Sequence, residues 1–99
     1  MAVNRGFETI TVAAVGIGPT QDALANKANY AVFGPLEAAQ VRWRDDGTAP
    51  TASVGHLLEI GQVLTYDGPM NKIQFIRTGG VSGTLPCSYF YVGIGEARA

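Results

Sequence analysis

The chain has 99 residues, 46% of them apolar and only 15% charged, with a formal net charge of −1. This length holds one domain with a thin core, since a body of this size buries roughly 60–65% of the surface of its unfolded chain. Seven scattered Lys and Arg make no basic stripe for nucleic-acid phosphates, no apolar run approaches the ~20 residues of a membrane helix, and a single cysteine excludes an internal disulfide.

The opening "MAVNRGFETI" lacks the apolar centre of a signal peptide, so synthesis in a cytoplasm is expected. Residues 1–6 are a candidate N-terminal arm. "FETITVAAV" (Phe7 to Val15) alternates Phe7, Thr9 and Thr11 with Glu8, Ile10 and Val12, which predicts a strand. "GIGPT" is a turn, and "TQDALANKAN" reads as a loop with one helical turn capped by Thr20. "NYAVFGP" (Asn29 to Pro35) and "AAQVRWR" (Ala38 to Arg44) predict two strands joined as a hairpin. Alternation then places Val41 and Trp43 on one face and Arg42 and Arg44 on the other. "DDGTAPT" breaks the strand through the turn formers Asp45, Asp46 and Gly47 and the missing donor of Pro50.

"HLLEI" (His56 to Ile60) and "QVLTYD" (Gln62 to Asp67) flank Gly61 and predict two short strands around a bend or bulge. "KIQFIRT" points Ile73 and Phe75 inward, with Lys72, Gln74 and Ile76 opposite. "GGVSG" is a turn, and "TLPCSYFYVGI" (Thr84 to Ile94) is the last strand, with Leu85, Cys87, Tyr89 and Tyr91 on one face. Pro86 predicts an edge strand, or one whose side at Pro86 faces outward. Turn residues recur at roughly the eight-to-twelve-residue spacing of an all-β body. The expected fold class is therefore all-β: a compact antiparallel β-sandwich of seven to eight strands in one domain spanning 1–99, with jelly-roll and immunoglobulin-like topologies both open. Trp43, Phe75 and Tyr89 are its expected core aromatics.

Chemistry-bearing patterns are sparse. His56 is the single histidine, and no nucleophile elbow accompanies it. Cys87 alternates onto an apolar face and reads as a small hydrophobe. "GIGPTQ" lacks the third glycine of a phosphate loop. Asp45 and Asp46 lack the spaced ligands of a calcium loop, so an Asx-type turn tied to Arg42 or Arg44 is favoured over a metal site. The four glutamates are too scattered to suggest a glycosidase pair. Trp43 and Tyr30, Tyr66, Tyr89 and Tyr91 admit a sugar-stacking surface, against the simpler reading as packing. No enzymatic activity, cofactor or metal is expected. Arg42, Arg44, Asp45 and Asp46 remain candidates for partner contact or for pinning the turn.

Taken together, "YAVFG", "VRWRDDGTAPTASVGHLLEIGQVLTYDG", "IQFIRTGG" and "SYFYVG" resemble a group of small virion proteins of tailed bacteriophages, about a hundred residues long. The similarity runs from about Asn29 to Val92, and the Arg-Trp-Arg-Asp-Asp-Gly block is its distinctive part. The resemblance implies a virion structural protein made in the bacterial host. A capsid decoration, or cement, protein bound to the major capsid protein is the first expectation. A neck, collar or tail component and a carbohydrate-binding module are the alternatives. A homo-oligomer is expected, with a trimer favoured by the local threefold axes of a shell.

Overall fold

The computed structural model describes residues 2–20 and 27–93. Among these residues are seven strands: β1 (Ala2–Val12), β2 (Tyr30–Phe33), β3 (Val41–Arg44), β4 (His56–Leu58), β5 (Leu64–Tyr66), β6 (Gln74–Arg77) and β7 (Gly83–Val92). Among the described residues there is no helix. The strands form two antiparallel sheets, one of four strands in the order β1-β7-β2-β5 and one of three in the order β4-β3-β6. The predicted all-β sandwich is thus the fold. The helical turn predicted after Thr20 lies outside the described residues.

Alternation builds the core. In β1, Ile10 and Val12 are buried while Phe7, Thr9 and Thr11 face solvent. In β7, Leu85, Cys87 and Tyr89 are all fully buried. Ala31 and Phe33 of β2, Val41 of β3 and Phe75 of β6 meet them from both sheets, with Leu36 and Ile73 from the connections. Phe33 sits at the centre. Its ring lies 5.0 Å from Phe75, 6.2 Å from Tyr89 and 6.3 Å from Tyr66, between centroids in tilted and edge-on arrangements. Such geometry suits aromatic quadrupoles better than face-to-face stacking.

The connections depart from the sequence expectation. β2 and β3 are not a hairpin: β2 pairs with β7 and β5, whereas β3 pairs with β4 and β6. The chain leaves β2 at Gly34, whose φ of 119° and close approach to the Gln62 carbonyl exclude a side chain. It then buries Leu36 and bridges Glu37 to Thr84 before entering the other sheet. Burial of Leu36 between the layers, with no two-residue turn available, converts a reversal into a crossover. The segment around Gly61 is the predicted bend and not a bulge, and it carries the chain from β4 in one sheet to β5 in the other.

β7 is central, not at an edge as Pro86 suggested. The Gly34 N–H donates to the Pro86 carbonyl at 2.8 Å. The nitrogen of Pro86 faces the same way, toward the last rung of β2, so proline forgoes one bond where that strand is already ending. Tyr91, predicted on the same face as Tyr89, is 36% exposed, because the ten-residue β7 overruns an opposing sheet whose strands have three or four residues.

In the single chain, part of the candidate arm lies in the sheet. Ala2, Val3 and Asn4 pair with Val92, Tyr91 and Phe90 of the same chain, with an irregularity at Arg5. Arg5 places its guanidinium 5.7 Å from the Tyr91 ring centre. The topology also differs from both candidate folds. The seven strands among the described residues are one fewer than in a jelly roll, and β7 lies between β1 and β2, whereas the last immunoglobulin strand lies beside the sixth.

Candidate functional site

The Val41–Gly55 stretch is one structural device. Val41 and Trp43 point toward the other sheet and Arg42 and Arg44 away from it, as alternation requires. Val41 is fully buried opposite Leu58, but Trp43 lies one rung further, opposite His56, and is only half-buried. The expectation of a core tryptophan is corrected to a rim tryptophan. One side packs on the core cluster and the other meets the His56 ring at 4.6 Å between centroids. The exposure lies on the β4 side, where His56 is exposed, since Phe75, opposite Trp43 on β6, is fully buried. Phe75 and Tyr89, the other two expected core aromatics, are fully buried.

The two arginines act on their own chain. Arg42 donates from Nε to the Ala52 carbonyl at 3.0 Å and from Nη1 to the Gly55 carbonyl at 2.9 Å. It thereby ties the 45–55 loop down over the outer face of its own hairpin, with Pro50 buried beneath. Gly55 is required there: its φ is 137°, and a Cβ would stand 3.0 Å from the Trp43 carbonyl oxygen. Within the loop, Thr51 and Val54 exchange main-chain bonds of 2.9 and 3.3 Å.

Arg44 makes a two-pronged bond to Asp46, from Nε to Oδ1 at 3.2 Å and from Nη2 to Oδ2 at 2.5 Å. Asp46 also accepts the Thr48 N–H at 3.2 Å, the signature of an Asx turn. The Arg44 bond first, and then the Thr48 N–H, hold the Asp46 carboxyl below the usual range, while Asp46 raises Arg44 in return. Asp45 is exposed beside this pair. An open depression is lined by Arg44, Asp45, Asp46, Val54, Gly55 and His56. Among the described residues no group of three acidic, His or Cys side chains has the spacing of a metal site.

A second polar cluster was not anticipated. Glu8 reaches into the layer between the sheets, where Oε2 accepts the Tyr89 hydroxyl. Thr20 donates its N–H to the same carboxylate at 2.9 Å and its hydroxyl to Oε1. Burial raises the Glu8 pKa, but the Thr20 and Tyr89 donors outweigh it, and the net shift is downward. Tyr89 is raised, by burial first and by the Glu8 bond second. The Cys87 thiol, also buried, is pushed up to about 12. The sequence carries a faint signal for this cluster: Glu8 alternates onto the apolar face of β1, and an inward carboxylate needs a donor.

The aromatics do not form a stacking row. Tyr66 and Tyr89 are buried, Tyr30 and Trp43 half-buried, and only Tyr91 is well exposed among the described tyrosines and the tryptophan.

No family model, curated protein or solved structure matches this chain.

The remaining surface feature is electrical. The strands of the four-stranded sheet carry two charged residues, Arg5 and Glu8, and Glu8 is turned inward. Phe7, Thr9, Val32, Thr65, Ser88 and Phe90 present an uncharged outer face, with Phe7 59% exposed and the Tyr30 and Phe90 rings 6.0 Å apart. The three-stranded sheet carries Arg42, Arg44 and Arg77.

Proposed function

We propose that this protein is a non-enzymatic structural component of a tailed-phage virion, and specifically a decoration protein that lies on the assembled capsid shell. The observation that carries the reading is the neutral outer face of the four-stranded sheet. A face with no charge to desolvate is suited to lie against another protein, where charged residues are typically depleted. The self-directed bonding of Arg42, Arg44 and Asp46 supports the same reading, because the distinctive block of the sequence acts as scaffold. The resemblance to small virion proteins supplies the particle.

A protein that binds the assembled shell and not its free subunits stabilises the shell by mass action. The test adds purified protein to shells that lack it. Binding should saturate at a copy number comparable with that of the shell protein. Decorated shells should retain DNA at higher temperature and through osmotic shock. Equal survival of bare and decorated shells overturns the reading, and a count of only a few copies per particle assigns the protein to the neck or tail. Introducing a charge at Val32→Glu, on the neutral face, should weaken shell binding while the isolated protein stays folded.

A further inference from the structure

We infer that the free edge of β1 is a dimerisation edge, and that its occupant is β1 of a second copy, paired antiparallel about a twofold axis at Thr9. The first observation is the direction of the main-chain groups. Thr84 exchanges both main-chain bonds with Glu37, at 2.9 Å each, and Pro86 accepts from Gly34. Thr84 and Pro86 therefore point away from β1. Their register partners Thr11 and Thr9 must then point away from β7, and alternation adds Phe7. Three successive N–H and C=O pairs face outward from an edge strand, and none of them is bonded by a described residue.

Native edges of this length are normally covered, charged or broken. Here the irregularity at Arg5 protects only the N-terminal part. The regular segment 6–12 contains neither Pro nor Lys.

The second observation is that this segment complements itself. In a continued sheet, facing residues must lie on the same side, so a twofold axis must pass through a residue. For the axial pair to exchange hydrogen bonds, that residue must also have outward-facing main-chain groups. The midpoint of 6–12 is Thr9, which meets both conditions. Phe7 then faces Thr11 of the second copy, and every outward N–H and C=O of the segment finds a partner. Thr9 meets its own copy in a threonine pair, and the exposed ring of Phe7 gains a β-branched neighbour.

Charge permits the contact. The one charge in the segment, Glu8, faces Ile10 of the second copy and is already bonded to Tyr89 and Thr20, so no like charges meet. The result is a continuous eight-stranded sheet with a doubled neutral face. This pairing stands independently of any position in a particle, and a twofold pair replaces the threefold assembly expected from shell symmetry.

The test measures the mass of the full chain by sedimentation, together with exchange of individual backbone amides by NMR. The wild type should run at twice 10.4 kDa, with the Phe7, Thr9 and Thr11 amides protected although they face outward in one chain. T9K places two ammonium groups across the axis and should weaken the dimer at least tenfold, while circular dichroism reports an unchanged β-fold. T9E should do the same, and a mixture of the T9K and T9E chains should restore the dimer. A monomeric wild type at about 100 μM, far above the Kd of a specific interface, overturns the proposal. So does a dimer that T9K leaves intact, a trimeric mass, or fast exchange at the three amides. The wild-type mass and exchange decide the matter even should a variant fail to fold.

Discussion

Glu8 accepts from Tyr89 across 81 positions of sequence, and the bond is a lever on stability. The folded-state pKa of Glu8 lies below its ordinary value of 4.5. Its contribution is therefore fully present above that value and is lost as the pH falls through the lower, folded one. Denaturant midpoints should show the wild type losing stability on acidification to about pH 3 and Glu8→Gln losing less, so that the gap between them narrows. Tyr89→Phe, which removes the buried donor but keeps the ring, should cost about 1–2 kcal/mol at neutral pH. Cys87 offers a readout of opening: burial holds the thiol near 12, so a thiol reagent should label it only as fast as the sandwich unfolds. Trp43→Ala should cost about 2 kcal/mol, less than the roughly 3–5 of a fully buried ring, because one side of the indole already meets His56 outside the core.

At the scale of elements, the 45–55 loop hangs on Arg42. Removing that guanidinium leaves the Ala52 and Gly55 carbonyls to solvent and releases the loop. Arg42→Ala should cost about 1–2 kcal/mol and open the loop to proteolysis, while Arg44→Ala, at an exposed pair, should affect stability less. Individual strands were legible because their signal is local. "KIQFIR" alternates, and Ile73 and Phe75 are buried. What followed each turn was not legible. Gly34-Pro35 and Gly61 announce that the chain turns, but the same residues serve a hairpin within one sheet and a crossover between two. Pro86 misled for a related reason: the rule concerns one N–H, and that N–H falls where β2 has already ended. In the candidate site, the sequence offered Arg42 or Arg44 as partner for the turn aspartates, and the structure pairs Arg44 with Asp46, two positions on. The bonds of Arg42 to two loop carbonyls required knowing that the loop folds back.

Across the whole molecule, a single aromatic knot joins the layers. Phe33 touches Tyr66, Phe75 and Tyr89 from three other strands, so Phe33→Ala should remove about 4 kcal/mol, enough to consume most of the margin of a domain whose total is about 5–15. Thermal melting of that variant checks it. The neutral sheet and the arginine-bearing sheet divide the surface between them, which is why sparse charge was readable from composition while its placement was not. The central position of β7 has one more consequence. Ala2 finds its partner only in Val92, and β2 also pairs with β7. During synthesis β1 must wait, without its strand partner, until β7 has been made, and β2 has only β5 to pair with before then. Folding of the four-stranded sheet therefore awaits β7 and is dominated by distant contacts, and a nascent chain stalled before Gly83 should remain protease-sensitive in β1.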